Sequence, residues 1–513
     1  MPGPYLLGVD IGSMGMKAAL FDLDGGVHYT SLYEYPILHP EPLAAEHNVE
    51  VWVKAFKEAV KGVLRRVRAE EIVAVGIDCF CPSLIPVDAQ GNALRPSIFF
   101  MDQRNIGEAE RMKEALDEEW IFEVAGNRIA PSAFSAPIIL WIKEREGGIF
   151  KETHKFLHAN GYLAHYLTGN FTMDWTNASL TLLFDVKKRR WVDEICERLG
   201  IPPEKLPEPI APWEVVGEVT SKASQETGLS KGTVVVGGGA DTACAALGLG
   251  SVEDGEAIDD SGTATKLAVT VDKPRFVRET MNRCHVLPDH WLLVAPSSST
   301  GASLRWFKEL FGDPERDEAM VRGVSPYQVM DEEAEKSPPG AKGLIFLPYM
   351  APGGERSPIW NPYARGVLFG LTLDHGREDI IRAFMEASAY ALNHNIEVIE
   401  GYGIHVRRLR MSGGQAKSRL WRQIKADVTG KEILLTHYIE EATVFGVAIL
   451  AGVGAGYYRD PFIAKEMVDI VERVEPRAEV HETYKGYYSL YKEIYKRLEE
   501  SFTSLNKMIY QKD

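Results

Sequence analysis

Apolar residues in this chain fall into short runs closed by Gly and Asp, and these alternate with longer stretches of helical period. Tyr5-Leu-Leu-Gly-Val-Asp-Ile-Gly12 is an apolar run ending in Asp and Gly, and Lys17-Ala-Ala-Leu-Phe-Asp-Leu-Asp-Gly-Gly26 is a second run with a turn behind it. The two predict a hairpin with Gly12-Ser-Met-Gly-Met16 at its tip. Residues 256–273 repeat the scheme: a strand, then Asp260-Ser-Gly-Thr263, then a strand. Two such hairpins far apart in the chain predict two domains of one design facing each other, divided at the Gly- and acid-rich segment 248–255. Elsewhere the pattern predicts strands within 72–78, 84–92, 233–241, 343–348 and 408–414. Helices are expected over 51–68, 377–400 and 420–428, the last capped by Ser418, with a final amphipathic helix over 484–508 on the outside. Strands alternating with helices in both halves make this an α/β chain with mixed sheets flanked by helices.

Length and composition narrow the classes. A chain of 513 residues holds two large domains or about three ordinary ones. The formal net charge of −16 argues against a nucleic-acid surface. It leaves a nucleotide ligand open, because backbone amides and a metal ion can hold phosphates without net positive charge. No apolar run reaches the roughly 18 residues of a membrane span. The start, Met1-Pro-Gly-Pro-Tyr5, leads into a strand with no signal-like core. Five scattered cysteines show no paired zinc spacing. These features predict a reduced, cytoplasmic protein that engages neither nucleic acid nor membrane, and they admit a homodimer.

Several segments carry candidate chemistry. Phosphoryl transfer needs the phosphates held, a metal placed and the attacking hydroxyl oriented near a base. In Asp10-Ile-Gly-Ser-Met-Gly-Met-Lys17 the glycine turn could turn its amides to a phosphate, and Asp10 at the strand end could hold Mg²⁺. An ordinary hairpin turn with a buried Asp explains the same residues. Ser261-Gly-Thr-Ala264 repeats the device, and Gly262 is expected to admit no side chain. In Gly237-Gly-Gly-Ala-Asp-Thr-Ala-Cys244, Asp241 follows a strand and begins a helix. A carboxylate there is aimed at the crevice where open α/β sheets bind ligands, and can act as a general base. A plain helix N-cap is the competing explanation. Met411-Ser-Gly-Gly-Gln-Ala-Lys-Ser418 is a third glycine loop, able to pass beneath an adenine and ribose. Met101-Asp-Gln-Arg-Asn105 could grip vicinal hydroxyls or be a surface turn with a local ion pair.

The stretch Pro348-Tyr-Met-Ala-Pro-Gly-Gly-Glu-Arg-Ser-Pro-Ile-Trp-Asn-Pro-Tyr-Ala-Arg-Gly-Val-Leu-Phe-Gly-Leu-Thr-Leu-Asp374 resembles the second signature of the FGGY carbohydrate kinases, and ordered similarities extend over residues 5–455. The resemblance implies two actin-like (ribonuclease-H-like) domains, residues 1–249 and 250–513, with the active site in a cleft between them. It implies ATP and Mg²⁺ as cofactors and a sugar or polyol as acceptor. Asp241 falls on the family's catalytic base, and Asp10 and Asp241 on the metal site. Gly12, Ser13, Met14 and Lys17 resemble the first phosphate loop, Gly262 and Thr263 the second, and Gly301 the segment against the nucleotide. Gly413, Gly414, Gln415 and Ser418 resemble the adenosine segment.

For the acceptor, the expected contacts are Phe80, Cys81, Asp102, Arg104, Phe134, Asp241 and Thr242. Asp102 and Arg104 would grip two hydroxyls, and Phe80 and Phe134 would form an apolar wall. Glycerol kinases carry an Arg-Glu pair where this chain has Cys81-Pro82, and a Tyr near Ala133. The Gln-Met-His of xylulose kinases is also missing from Cys79-Phe-Cys-Pro-Ser83, while the adenosine segment looks closer to the xylulose and gluconate kinase type. A pentulose or pentitol is therefore the expected acceptor. Glycerol kinase is the alternative within the family, and a non-catalytic nucleotide-dependent sugar sensor on the same fold is the alternative outside it.

Overall fold

The computed structural model describes residues 3–510, so Met1 and Pro2 of the N-terminal reading lie outside the described residues. The chain divides into two compact units: Met1–Val252 with Thr270–Leu292 and Glu441–Val468, and Glu253–Val269 with Leu293–Glu440 and Asp469–Asp513.

The first unit is built on a seven-stranded sheet. Its strands are β1 (Tyr5–Ile11), β2 (Gly15–Asp22), β3 (Val27–Glu34), β4 (Ile72–Cys79), β5 (Val215–Glu218), β6 (Val234–Val236) and β7 (Gly239–Ala240). Their order is β5-β6-β4-β1-β2-β3, with β7 on the end of β4. β1, β2 and β3 form an antiparallel meander, while β4 and β6 run parallel to β1. Tyr5, Leu7, Val9, Val75, Ile77 and Val235 point into a core closed by the helix Val49–Val63, which contributes Trp52, Phe56 and Val60. Helix α1 (Asp241–Gly248) follows β7 directly.

The second unit repeats this plan. Its sheet contains β8 (Glu256–Ser261), β9 (Thr265–Val271), β10 (Trp291–Ser297), β11 (Arg408–Ser412), β12 (Glu432–Thr436) and β13 (Ile470–Val474), in the order β10-β9-β8-β11-β12-β13, with a short seventh strand, Met281–Cys284, at the edge beside β10. As in the first unit, the opening hairpin is antiparallel and the fourth strand runs parallel to the first. Both sheets thus have the strand order of the expected actin-like design. Helices α2 (Thr300–Phe311), α3 (Arg377–Gly401) and α4 (Arg419–Thr429) cover this unit, and Ser418 caps α4 by accepting the Trp421 N–H at 3.0 Å.

After β12 the chain returns to the first unit as α5 (Ala442–Gly454), a helix apolar on almost every face. It lies directly on β1 and β4. A Cβ on Gly8 would stand 2.0 Å from the Val444 carbonyl oxygen, and one on Gly76 2.2 Å from that of Val447. The long helix α6 (Ala478–Tyr510) is the last element among the described residues. Tyr484, Tyr491 and Phe502 on it are buried with Phe384, Tyr390 and Trp421. The buried Glu386 of α3 accepts from the Tyr484 hydroxyl at 2.7 Å and from Arg382 Nε at 2.8 Å.

Candidate active site

Three neighbouring strand ends carry acids in the first unit. The β1–β4 register sets Asp10 opposite Asp78, and the β4–β7 register sets Gly239 opposite Asp78 and Ala240 opposite Cys79. Asp241 is the next residue and the first of α1. Asp10, Asp78 and Asp241 therefore leave the sheet side by side at one edge, the place where parallel α/β sheets bind ligands. Gly238 makes the turn possible: its φ is +68° and a Cβ would lie 1.8 Å from the Ile77 carbonyl oxygen. The Cys244 thiol, within a turn of Asp241, is pushed well up by burial and then by the charges of Asp78, Asp174, Asp241 and Asp10.

Asp241 Oδ1 accepts the Thr242 amide at 2.6 Å and the Thr242 hydroxyl at 3.0 Å, which fixes the carboxylate against its own helix. The residue before it is anchored separately. The Ala240 N–H donates to Thr176 Oγ1 at 2.7 Å, and that hydroxyl donates to Asp174 Oδ1 at 2.5 Å. Asp174 caps the helix Trp175–Ala178 and accepts further from Asn160 Nδ2 at 2.9 Å and Asn177 Nδ2 at 2.7 Å. Burial raises its pKa, and these donors oppose the rise without cancelling it. Cys81 Sγ lies 3.4 Å from His158 Nδ1, and His158 Nε2 lies 2.8 Å from Ser135 Oγ. Burial holds His158 near 4 and pushes the Cys81 thiol well up, so the imidazole is neutral and the thiol protonated at neutral pH.

The expected hydroxyl grip differs from what is found. Asp102 is buried and accepts the Ala45 N–H at 2.9 Å, the Arg104 N–H at 3.0 Å and Arg104 Nη2 at 2.6 Å. Arg104 also pairs with Glu46 at 2.5 Å and Glu41 at 2.9 Å, and lies over the Trp141 ring at 4.4 Å. A carboxylate and guanidinium already engaged in this way have little left for a ligand. Phe80 packs among His47, Trp52, Phe99 and Phe100, and Phe134 is buried at the start of the helix Ser135–Arg145. Both aromatic rings are core residues rather than an open wall.

The first glycine loop is pinned from outside. The Gly12 N–H donates to the Gly15 carbonyl at 2.9 Å, and Tyr35 donates its hydroxyl to the Gly12 carbonyl at 2.6 Å and its N–H to that of Met14 at 3.1 Å. Met14 is exposed, Ser13 is half-buried, and Lys17 stands opposite Asp10 in the hairpin.

In the second unit the loop after β8 is tied to α2. The Thr263 carbonyl accepts from Gly301 N–H at 3.2 Å and Ala302 N–H at 2.9 Å. Gly301 is the glycine that packing requires, since its Cβ would lie 1.9 Å from the Gly262 carbonyl oxygen. Gly262 itself would have nothing within 4 Å of a Cβ, so the fold sets no steric limit on a side chain there. Beneath the loop, the fully buried Lys425 of α4 donates to Asp259 Oδ2 at 2.6 Å and Ser261 Oγ at 2.8 Å. Gly413 holds φ at +78° against the Ser261 carbonyl. Gly414 and Gln415 form a single turn before Ser418, and both ends of the buried Gln415 amide are without a hydrogen-bond partner.

Sequence reasoning passed over Asp78, Asp174, Lys425 and Arg283. The first had a usable signal: Ile72-Val-Ala-Val-Gly-Ile-Asp78 ends in Asp after an apolar strand, as Tyr5-Leu-Leu-Gly-Val-Asp10 does. Asp174 also had a local signal, as an Asp that caps the helix beginning at Trp175, whereas Lys425 and Arg283 become visible only through partners or surroundings distant in the chain.

The sequence matches the profile of the FGGY family of carbohydrate kinases, N-terminal domain, over residues 5–248, and that of the C-terminal domain over 261–455. It is 29% identical over 506 residues to a xylulose kinase of Bacillus subtilis, covering 98% of each chain. It is 28% identical over 503 residues to a gluconokinase of the same organism, covering 98% of this chain and 97% of the other. The structure of xylulose kinase from Rhodospirillum rubrum superimposes with a TM-score of 0.88 at 26% identity, covering 97% of this chain and 100% of that one.

Proposed function

The chain belongs to the FGGY family of carbohydrate kinases, and from that premise we propose that it transfers the γ-phosphoryl group of ATP to a hydroxyl of a small sugar or polyol, with Asp241 as the general base. The observation that carries the assignment is the position of Asp241 at the edge shared by three strand ends, held by Thr242 and anchored through Ala240. The carboxylate takes the proton of the attacking hydroxyl as the bond to phosphorus forms. The Asp174–Thr176 pair keeps the peptide before Asp241 from drifting, which matters because sub-ångström misplacement of a base is costly.

Gly12, Ser13, Met14 and Lys17 would face the phosphates. Gly262 and Thr263 would face phosphates as well, with Gly301 against the nucleotide and Gly413, Gly414, Gln415 and Ser418 along its adenine and ribose. Mg²⁺ in such sites takes one or two carboxylates and completes its shell with water and phosphate oxygens. Asp10 and Asp241 fit that donor set, and among the described residues no group of three or more His, Cys, Asp or Glu forms an all-protein metal cage. A bound Mg²⁺ would neutralise charge on the phosphates. Among the described residues no helix is long and apolar enough to cross a membrane.

A five-carbon ketose or pentitol is one acceptor that the similarity supports, through relatives named xylulose kinase. A sugar acid is another, through those named gluconokinase. Glycerol is opposed by Cys81-Pro82, and a sensor without turnover by the retained Asp241. The test is ADP release from ATP with polyols, ketoses, aldoses and sugar acids, on wild type and Asp241→Asn. Acceptor-dependent ADP release that falls about 10²–10⁴-fold in the variant, with ATP affinity kept, is expected. A variant retaining more than a tenth of wild-type kcat would remove Asp241 from the role.

A further inference from the structure

Arg283 stands in the edge strand Met281–Cys284, beside β10, and is 4% exposed. Its Nε and Nη1 meet no hydrogen-bond acceptor. The strand borders the Asp241 turn. Cys284 donates its N–H to Ser179 Oγ at 3.0 Å, just beyond the helix Trp175–Ala178, and Val286 Cγ1 lies 3.0 Å from where a Cβ on Gly239 would stand. Burial disfavours its charge, and the carboxylates of Asp241 and Asp174 favour it. Asp174 already accepts from Asn160, Thr176 and Asn177 and gives Arg283 no hydrogen bond. A buried cation without a contact partner is costly, and folded proteins retain one where something else completes it.

Resting on the kinase reading above, we propose that Arg283 completes the acceptor subsite by pairing with a carboxylate of the substrate, so that the natural acceptor is a short-chain sugar acid. A carboxylate presents two oxygens matched to the guanidinium fork and cancels its charge, whereas a neutral hydroxyl does neither. An anion also needs such a cation here. Asp10, Asp78, Asp174 and Asp241 share this region and would repel a carboxylate that met no positive group. The acid end is held at Arg283 while a hydroxyl further along the chain is presented to Asp241. The pairing needs no help from Asp102 and Arg104, which are engaged with each other, Asp102 also with the Ala45 N–H and Arg104 with Glu46.

The experiment compares matched acceptors on the full-length chain: gluconate against glucitol, xylonate against xylitol, and xylulose as a neutral ketose. The expected result is a kcat/KM for the better acid roughly 10²-fold above its alditol. In Arg283→Met and Arg283→Lys that ratio collapses, by about the same factor in the Met variant. Calorimetric titration of each acid without nucleotide reads binding apart from turnover, and the wild type should bind the acid and Arg283→Met should not. Thermal unfolding of Arg283→Met at or above the wild-type midpoint is expected, because an unpaired buried cation has been removed. A large fall in its midpoint would mean that Arg283 is structural, and would overturn the proposal. A wild type that prefers the neutral member of each pair, or that binds no acid, would also overturn it while leaving the kinase reading intact. Acid binding through Arg283 with no ADP release from any acceptor would instead uphold the subsite and sink the kinase.

Discussion

The buried pair Lys425–Asp259 gives the sharpest test of how the loop after β8, proposed above to face a phosphate, is held. Both side chains are fully buried, and Lys425 Nζ lies 2.6 Å from Asp259 Oδ2 and 2.8 Å from Ser261 Oγ. Burial draws the Lys425 ammonium below its usual range, and the Asp259 charge opposes that. Lys425→Met removes the cation but leaves Asp259 buried with its charge uncompensated. Such a loss costs about 3–5 kcal/mol. At roughly 2–4 °C per kcal/mol for a domain of 150–250 residues, the unfolding midpoint should drop by about 6–20 °C. Replacing both members, in Lys425→Met/Asp259→Leu, should recover most of the loss, because two apolar side chains need no counter-charge. Ser261 keeps the Thr265 hydroxyl at 2.8 Å in either case. The assay is circular dichroism melting of wild type, both single variants and the double variant, with KM for ATP and for the acceptor measured alongside. Because Ser261 immediately precedes Gly262, the single variant should raise KM for ATP more than KM for the acceptor. A Lys425→Met protein as stable as wild type would refute the reasoning. So would a double variant no more stable than the worse single one.

The two loop glycines should separate cleanly in the same melting and kinetic assays. Gly301→Ala, whose Cβ would lie 1.9 Å from the Gly262 carbonyl oxygen, should destabilise the protein and weaken ATP binding, whereas Gly262→Ala, with nothing within 4 Å, should leave the melting midpoint within error. Equal effects on stability would contradict the packing. Glu355 predicts a pH dependence. Burial pushes its carboxyl up to about 7, against two backbone donors, Ser298 N–H at 2.7 Å and Arg356 N–H at 2.8 Å. Between its ordinary value and 7 the folded state keeps a proton that the unfolded chain has released, so stability should fall as pH rises through that window, by up to about 3 kcal/mol. Glu355→Gln should flatten the slope, and an unchanged slope would show that other groups set it.

Much of the architecture is local in origin and could be read from residue patterns. The hairpin of β1 and β2, the strand β4 that carries Asp78 near its end, the glycine turn before Asp241 and the Ser418 cap each depend on neighbours within a few positions. Repetition of one hairpin pattern announced two similar sheets for the same reason. Other features were settled by packing between distant segments. Helix α5 carries no amphipathic stripe because nearly all of it is buried. Nothing in Tyr5-Leu-Leu-Gly8 shows that Val444 will lie on that glycine. Asp102 and Arg104 read as a grip for hydroxyls because sequence shows the pair but not Ala45, Glu46 and Trp141 around it. Arg283 looked like one more charged residue near the middle of the chain. Its significance comes from burial without a partner beside Asp241, and burial is a property of the folded surroundings that no local pattern encodes.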